Sequence, residues 1–310
     1  MARGMKRDAD PVDGLLLLNK PTGMTSNRAL QIVRRLVNAQ KAGHTGSLDP
    51  AATGLLPLCF GEATKVCAYL LDADKSYRVT VKLGAATDTG DADGQEIETA
   101  PVPERSEADW NEILQGFCGE STQIPPMYSA LKKDGKRLYE LARKGETVER
   151  EPRAIRIDEI SLLELAGTRM VFRVSCSKGT YIRVLVEDIA RKAGTVAHTA
   201  RLHRESVGDF GSAGMIDMTA LVALAEQGLQ PIRAKLLPPD IALARMPAAT
   251  VTEEDALRFS GGQVVAADSE AHKGLARVYA TDKQFLGVGE LLEDGQVAPR
   301  RVFRTQEKTP

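Results

Sequence analysis

The chain has 310 residues, 43% of them hydrophobic and 27% charged, with a formal net charge of −1. That length admits two domains, and the composition is that of an ordinary globular protein, which excludes disordered and collagen-like classes. A balance near zero gives the chain as a whole no preference for nucleic acid or an anionic membrane. The average conceals segregation: residues 72–120 carry 12 Asp/Glu against 4 Lys/Arg, and residues 169–204 carry 8 Lys/Arg against 2 Asp/Glu. A neutral molecule can build a basic face in this way.

Residues 1–12 are polar and expected to be disordered. The run GLLLLNKPTG (14–23) reads as a buried strand and a turn, because a short apolar stretch stops at Lys-Pro and Thr-Gly. Its leucine run is too short for a signal segment or a membrane span, so a cytoplasmic location without a membrane partner is expected. Residues 25–37 place Ala29, Leu30, Ile32, Val33, Leu36 and Val37 at helical spacing, with an N-cap among Thr25 to Asn27. Residues 76–84 alternate, which predicts a strand with Tyr77, Val79, Val81 and Leu83 on one face and Arg78, Thr80 and Lys82 on the other. A helix is predicted over 108–119 and a strand over 169–177. The amphipathic run 180–194 predicts a helix with Thr180 as N-cap and Gly194 as stop. Residues 125–146 are polar and broken by glycine, and are expected to form a long excursion from the core. Proline density rises over 237–247, marking a boundary, and the runs 275–280 and 285–291 predict a small β-domain beyond it.

Several chemistries lack their equipment. Cys59, Cys67, Cys118 and Cys176 show no C-x-x-C spacing and fit reduced core residues. The histidines His44, His198, His203 and His272 never stand at i, i+4, and no phosphate-cradling glycine motif is present. Asp88-Thr89-Gly90 has the form of half an aspartic-protease motif, but there is no second copy. Residues 89–94 resemble a calcium loop, yet Thr89 and Ala100 occupy the first and twelfth ligand positions. No metal and no cofactor are expected.

The stretch GHTGSLDPAATGLLP (43–57) sets one carboxylate, Asp49, among glycines and small side chains. Asp before Pro suits a helix N-cap and N1 pair, with residues 50–56 as one short helix. It equally suits a nucleophile or general base on a tight turn that another backbone approaches closely. Arg183 falls in a first helical turn, where the helix dipole disfavours a cation. It pairs either with Glu187 on the surface or with a carboxylate elsewhere, which it would keep ionised. Tyr77 belongs to a core face or stacks on a nucleobase. Residues 131–144 carry 6 Lys/Arg against 2 Asp/Glu, with Tyr128 and Tyr139 nearby; they form a solvated loop or an RNA contact.

Five blocks in order resemble one family, the TruB family of bacterial tRNA pseudouridine-55 synthases. They are LLLLNKPTGMTS (15–26), KAGHTGSLDPAATGLLPLCFGEATK (41–65), KSYRVTVKLGAATDTGDADG (75–94), PPMYSALKKDGKRLYELARKG (125–145) and VSCSKGTYIRVLVEDI (174–189). The resemblance continues to about Leu202 and implies an α+β catalytic domain over 13–240, built on a mixed, mostly antiparallel sheet with flanking helices. It implies a basic RNA-contacting insertion at 125–152 and, more loosely, a PUA-like RNA-binding β-domain over 241–310. It further implies Asp49 as nucleophile, Tyr77 stacked on an extruded uracil and Arg183 holding the Asp49 carboxylate. Tyr181 and Leu202 would line the pocket, His44 would contact the RNA stem, and Lys65 would lie near the RNA backbone. Lys20 and Pro21 match a Lys-Pro motif whose role is more structural than chemical. The implied partner is the T-arm of tRNA, with no obligate protein partner. The competing reading is a catalytically silent RNA-binding or RNA-folding protein on the same scaffold.

Overall fold

A computed structural model of the chain describes residues 9–133 and 135–304. In chain order it begins with β1 (Gly14–Lys20), α1 (Ser26–Leu36), β2 (Ala42–His44), β3 (Thr53–Phe60), α2 (Cys67–Asp72) and β4 (Lys75–Leu83). The small hairpin of β5 (Ala85–Thr87) and β6 (Glu96–Thr99) leads to α3 (Glu107–Gln115) and β7 (Gly119–Gln123). A second hairpin, β8 (Lys132–Lys133) and β9 (Lys136–Arg137), precedes α4 (Leu138–Ala142), β10 (Arg153–Ala166) and β11 (Arg169–Cys176). Next come α5 (Ile182–Ala193), β12 (Ala197–Val207), β13 (Ile216–Asp217), α6 (Met218–Glu226) and α7 (Leu229–Arg233). The C-terminal part comprises β14 (Ala248–Val251), α8 (Glu253–Ser260), β15 (Val265–Ala266), β16 (Gly274–Ala280), β17 (Phe285–Leu291) and β18 (Gln296–Val302).

The large sheet runs β13-β1-β3-β12-β4-β11-β10-β7, with β2 paired to β3. Only β1–β13 and β3–β12 are parallel, so the sheet is mixed and mostly antiparallel, as expected. The leucine run of β1 is buried on both sides, which is why it does not alternate. Leu16 and Leu18 pack with Leu30 and Val33 of α1 and Leu221 of α6, while Leu15 and Leu17 meet Leu55, Cys59 and Val207. In β4 the alternation holds, and its apolar face packs on Leu185, Val186 and Ile189 of α5. Thr25 caps α1, its hydroxyl accepting from the Arg28 amide at 3.1 Å. A second sheet, β14-β16-β17-β18-β15, forms the C-terminal part. Its Val288, together with Phe303, joins the cluster of Leu15, Leu55 and Val207.

Tertiary structure overrides the local reading in several places. Residues 50–56 form no helix. From Thr53 onward the chain is β3, since pairing with β1 on one side and β12 on the other satisfies its backbone more fully than one helical turn would. Thr180 does not cap α5; Tyr181 is the flanking residue, and the Thr180 hydroxyl donates to Ser177 O at 3.0 Å. Gly194 does end α5, in the left-handed conformation. Within the expected excursion, Leu138 and Leu141 are buried and the Tyr139 amide donates to Ser129 O, so part of that segment packs. Of the stretch expected to be disordered, residues 1–8 lie outside the described residues, whereas Asp10 bridges to Ala39 and Val12 is buried. All four cysteines are free; Cys59 and Cys176 are buried, but Cys118 is exposed because α3 has ended before it.

Candidate active site

Asp49 lies in the loop between β2 and β3, and the Lys-Pro segment after β1 fixes that loop from beneath. The Lys20 ammonium, fully buried, donates to the carbonyls of Pro21 at 2.9 Å, Met24 at 2.8 Å and Pro50 at 3.3 Å. The Gly23 amide donates to the same Pro50 carbonyl, and the Thr22 hydroxyl donates to Ala51 O at 3.2 Å. The buried Ser26 hydroxyl accepts from the Leu48 amide at 2.8 Å and donates to Leu48 O at 3.1 Å. The residues on both sides of Asp49 are thereby held by side chains from the turn and first helical residue after β1. Burial lowers the Lys20 pKa to about 8, with the nearby Asp49 charge opposing the shift and Arg204 adding to it. Lys20 touches carbonyls only, in keeping with a structural role.

Arg183, the second residue of α5 and 4% exposed, reaches Asp49 at two points: Nε to Oδ2 at 3.0 Å and Nη2 to Oδ1 at 3.4 Å. It is therefore the inward pair and not the surface pair. The remaining donors are also placed, Nη1 on Thr89 O and Nη2 on Tyr128 O, each at 2.7 Å. Asp91 Oδ2 stands 3.7 Å from Nε and accepts from the Thr89 hydroxyl through Oδ1 at 2.6 Å. Gly90 between them has φ +72°, a left-handed conformation that glycine adopts without the strain of a side chain. Two carboxylates opposite Arg183 explain how a cation is tolerated in the first helical turn. The surrounding protein pushes the Asp49 carboxyl above its usual range; Arg183 pulls it back and the Asp91 charge adds to the rise.

Tyr77 is buried on the β4 face in one cluster with Leu48 and Ala52, the apolar neighbours of Asp49. Burial raises its phenol pKa, and the nearby Arg204 charge opposes the rise. Leu202 packs against this cluster from β12, opposite Val79. Tyr181 is held by Gln123, whose side chain accepts from the Tyr181 amide at 2.7 Å and donates to its carbonyl at 3.1 Å. His44 ends β2 opposite Leu58; its Nδ1 is buried without a hydrogen-bond partner among the described residues. Burial lowers the His44 pKa, and the Arg204 charge lowers it further.

Lys65 does not join these residues. Its ammonium pairs with Glu62, donates to Val302 O at 2.6 Å and stands 5.8 Å from the Phe303 ring centre, so the C-terminal strand end already uses its charge. The structure thus gathers Asp49, Arg183, Tyr77, Leu202 and the clamped loop, and leaves Lys65 elsewhere. Sequence reasoning misses Asp91 and Thr89, which fail as protease or calcium motifs and show no other pattern. Gln123, Ser26 and Arg204 carry no signal, since single buried polar residues form no pattern along a chain. A cavity of about 760 Å³ lies behind Arg183, lined in part by Thr89, Gln123, Tyr128, Glu146 and Glu187. Asp49 is not among its lining residues, and its carboxylates stand beside Arg150 and Arg191.

Comparison with known proteins identifies the family. Residues 34–182 match the TruB family pseudouridylate synthase N-terminal domain, and residues 247–303 match the C-terminal domain of pseudouridine synthase II TruB. The chain is 48% identical over 303 residues to tRNA pseudouridine synthase B of Pseudomonas putida (strain F1), covering 97% of this chain and 99% of that protein. It is 46% identical over 306 residues to the protein of that name from Nitrosococcus oceani, covering 99% of each. Among solved structures, a chain of a Cbf5-Nop10-Gar1 complex matches 94% of this chain and 85% of its own length, with TM-score 0.73 and 24% identity. At that identity the likeness concerns the fold. The sequence relatives decide the family: the chain belongs to the TruB family of pseudouridylate synthases.

Proposed function

We propose that the protein is a tRNA pseudouridine synthase that isomerises uridine 55 in the T-arm of tRNA, with Asp49 as the reacting carboxylate. The observation that carries this reading is the two-point contact of buried Arg183 with Asp49 beside Tyr77, in a chain 48% identical to curated tRNA pseudouridine synthases. The reaction breaks the uridine N1–C1′ bond, turns the uracil over and joins C5 to C1′, after which H5 leaves as a proton. N1 takes up one proton as C5 gives one up, so product and substrate are isomers.

Attack at C1′, attack at C6 and abstraction of a sugar proton all start from ionised Asp49. Arg183 supplies the opposite charge that keeps it so in a crowded site. Tyr77 stacks on the uracil once the base leaves the T-loop, offsetting part of an unstacking cost of a few kcal/mol. Tyr181 and Leu202 border the pocket, and His44 meets the RNA stem. The basic insertion 125–152 and a PUA-like C-terminal domain over 241–310 contact the phosphate backbone, beside a catalytic domain over 13–240. The cytoplasm is the compartment this reading expects; among the described residues no helix is long and apolar enough to cross a membrane.

Tritium release from T-arm RNA labelled at uridine C5 tests the reading. The wild-type protein is expected to release tritium, and Asp49→Asn is expected to release none while binding the RNA. Normal turnover by Asp49→Asn would sink the assignment.

A further inference from the structure

Arg204 is more deeply buried than Arg183, at 1% exposed. Among the described residues it has no carboxylate in ion-pair contact; its hydrogen bonds go to the backbone carbonyls of Leu55 and Gly46. A cation buried without a countercharge is an expensive way to fill a core, and an apolar side chain of similar volume would serve stability better. Its position accounts for it. Strand β12 is inserted between β3 and β4, so the strand leading out of the Asp49 loop and the strand carrying Tyr77 never pair with each other. Arg204 lies opposite Gly54 of β3 and opposite Tyr77 of β4. Its side chain then ties β3 to the loop: Nε donates to Leu55 O at 2.7 Å and Nη2 donates to Gly46 O at 3.2 Å, while its backbone stays paired opposite Tyr77. Gly46 stands in the same loop as Asp49, three residues before it.

We propose that Arg204 is a positioning residue of the reaction, holding the loop of Asp49 in one fixed relation to the strand that carries Tyr77. This rests on the proposed function, in which Tyr77 and Asp49 meet the same flipped uridine. A base stacked on the ring reaches the carboxylate in line only while ring and loop keep their spacing, and a misplacement of about 1 Å costs on the order of 100-fold in rate. Lysine at this position keeps the charge but not the planar fork, so it cannot span Leu55 O and Gly46 O together.

The test uses the full-length chain in single-turnover tritium release from T-arm RNA. Arg204→Lys is expected to lower the maximal rate by about 30- to 100-fold. RNA affinity stays within about threefold, and the acid limb of the pH profile stays in place, because Arg204 does not touch Asp49. Ser206→Ala breaks the Ser76–Ser206 hydroxyl contact on the same strand and measures simple loosening of the sheet; its rate stays at the wild-type level. Arg204→Gln supplies the comparison if the lysine form does not fold. An equal rate loss in Ser206→Ala, a shifted acid limb, or wild-type rate in both Arg204 variants overturns the positioning role. No release by the wild-type protein overturns the functional reading itself.

Discussion

Asp49 stands under opposing electrostatic pressures that set when it can react. Burial and the Asp91 charge raise its pKa, and Arg183 lowers it without cancelling the rise. The single-turnover rate is therefore expected to fall in acid at a pH above the value near 3.9 of an ordinary aspartate. The neighbours move this limb in opposite directions. Arg183→Gln removes the cation and shifts it upward, whereas Asp91→Asn removes a like charge and shifts it downward; pH–rate profiles of the two variants check the signs. The same shift bears on stability. A carboxyl whose folded pKa exceeds its unfolded value binds its proton more tightly when folded, so stability is gained as pH falls through the raised pKa and the ionised form opposes folding at neutral pH. Asp49→Asn is accordingly expected to melt at pH 7 no lower than the wild-type protein, although it does not turn over; a thermal melt read by circular dichroism tests this.

Within the elements, the Asp49 loop owes its shape to the turn after β1 and the first residue of α1. The Ser26 hydroxyl is the hydrogen-bond partner of both Leu48 backbone groups, so Ser26→Ala leaves a buried amide unsatisfied. Its expected cost is about 1–3 kcal/mol in urea unfolding, with a rate loss that the adjoining Thr25→Ser change does not share. The parallel join of β3 and β12 depends on glycine. Gly54 has φ +102°, and a Cβ there would lie 2.3 Å from Arg204 O, which no side-chain rotation relieves. Gly54→Ala is expected to destabilise by more than about 3 kcal/mol, read as loss of soluble protein or of a cooperative melt.

Across the whole molecule, the C-terminal sheet is tied to the large one. Phe303 is buried among residues that include Leu15, Leu55 and Val207, its ring meets Phe285 edge-on at 4.9 Å, and Lys65 bonds the adjoining Val302 carbonyl. Phe303→Ala is expected to cost about 3–5 kcal/mol in global stability. Removal of residues 247–310 exposes the same apolar surface and should lower the melting temperature of the remaining chain, measured by calorimetry on the truncated protein. Lys65→Ala should cost much less, about 0–1 kcal/mol, because its pair with Glu62 is partly exposed.

The sequence by itself determined those features whose physics is local. The leucine run of β1, the alternation of β4, an α1 N-cap among Thr25 to Asn27 and the Gly194 stop each arise from spacing and backbone preference, and the structure has them all, with Thr25 as the cap. Asp49, Tyr77 and Arg183 were legible as a set only through ordered family blocks, since their separations of 28 and 106 residues carry no periodicity. Tertiary structure decided the rest. It made residues 53–60 a strand where Asp-Pro had suggested a helix, because pairing on both sides satisfied more backbone than one turn could. It turned Arg183 inward, drew the Asp91 loop under it and drew Lys65 away to the C-terminal strand. It also buried Arg204 where the strands of Asp49 and Tyr77 fail to meet. Which partner a charge finds depends on strand order and burial, and neither is written in the neighbouring residues.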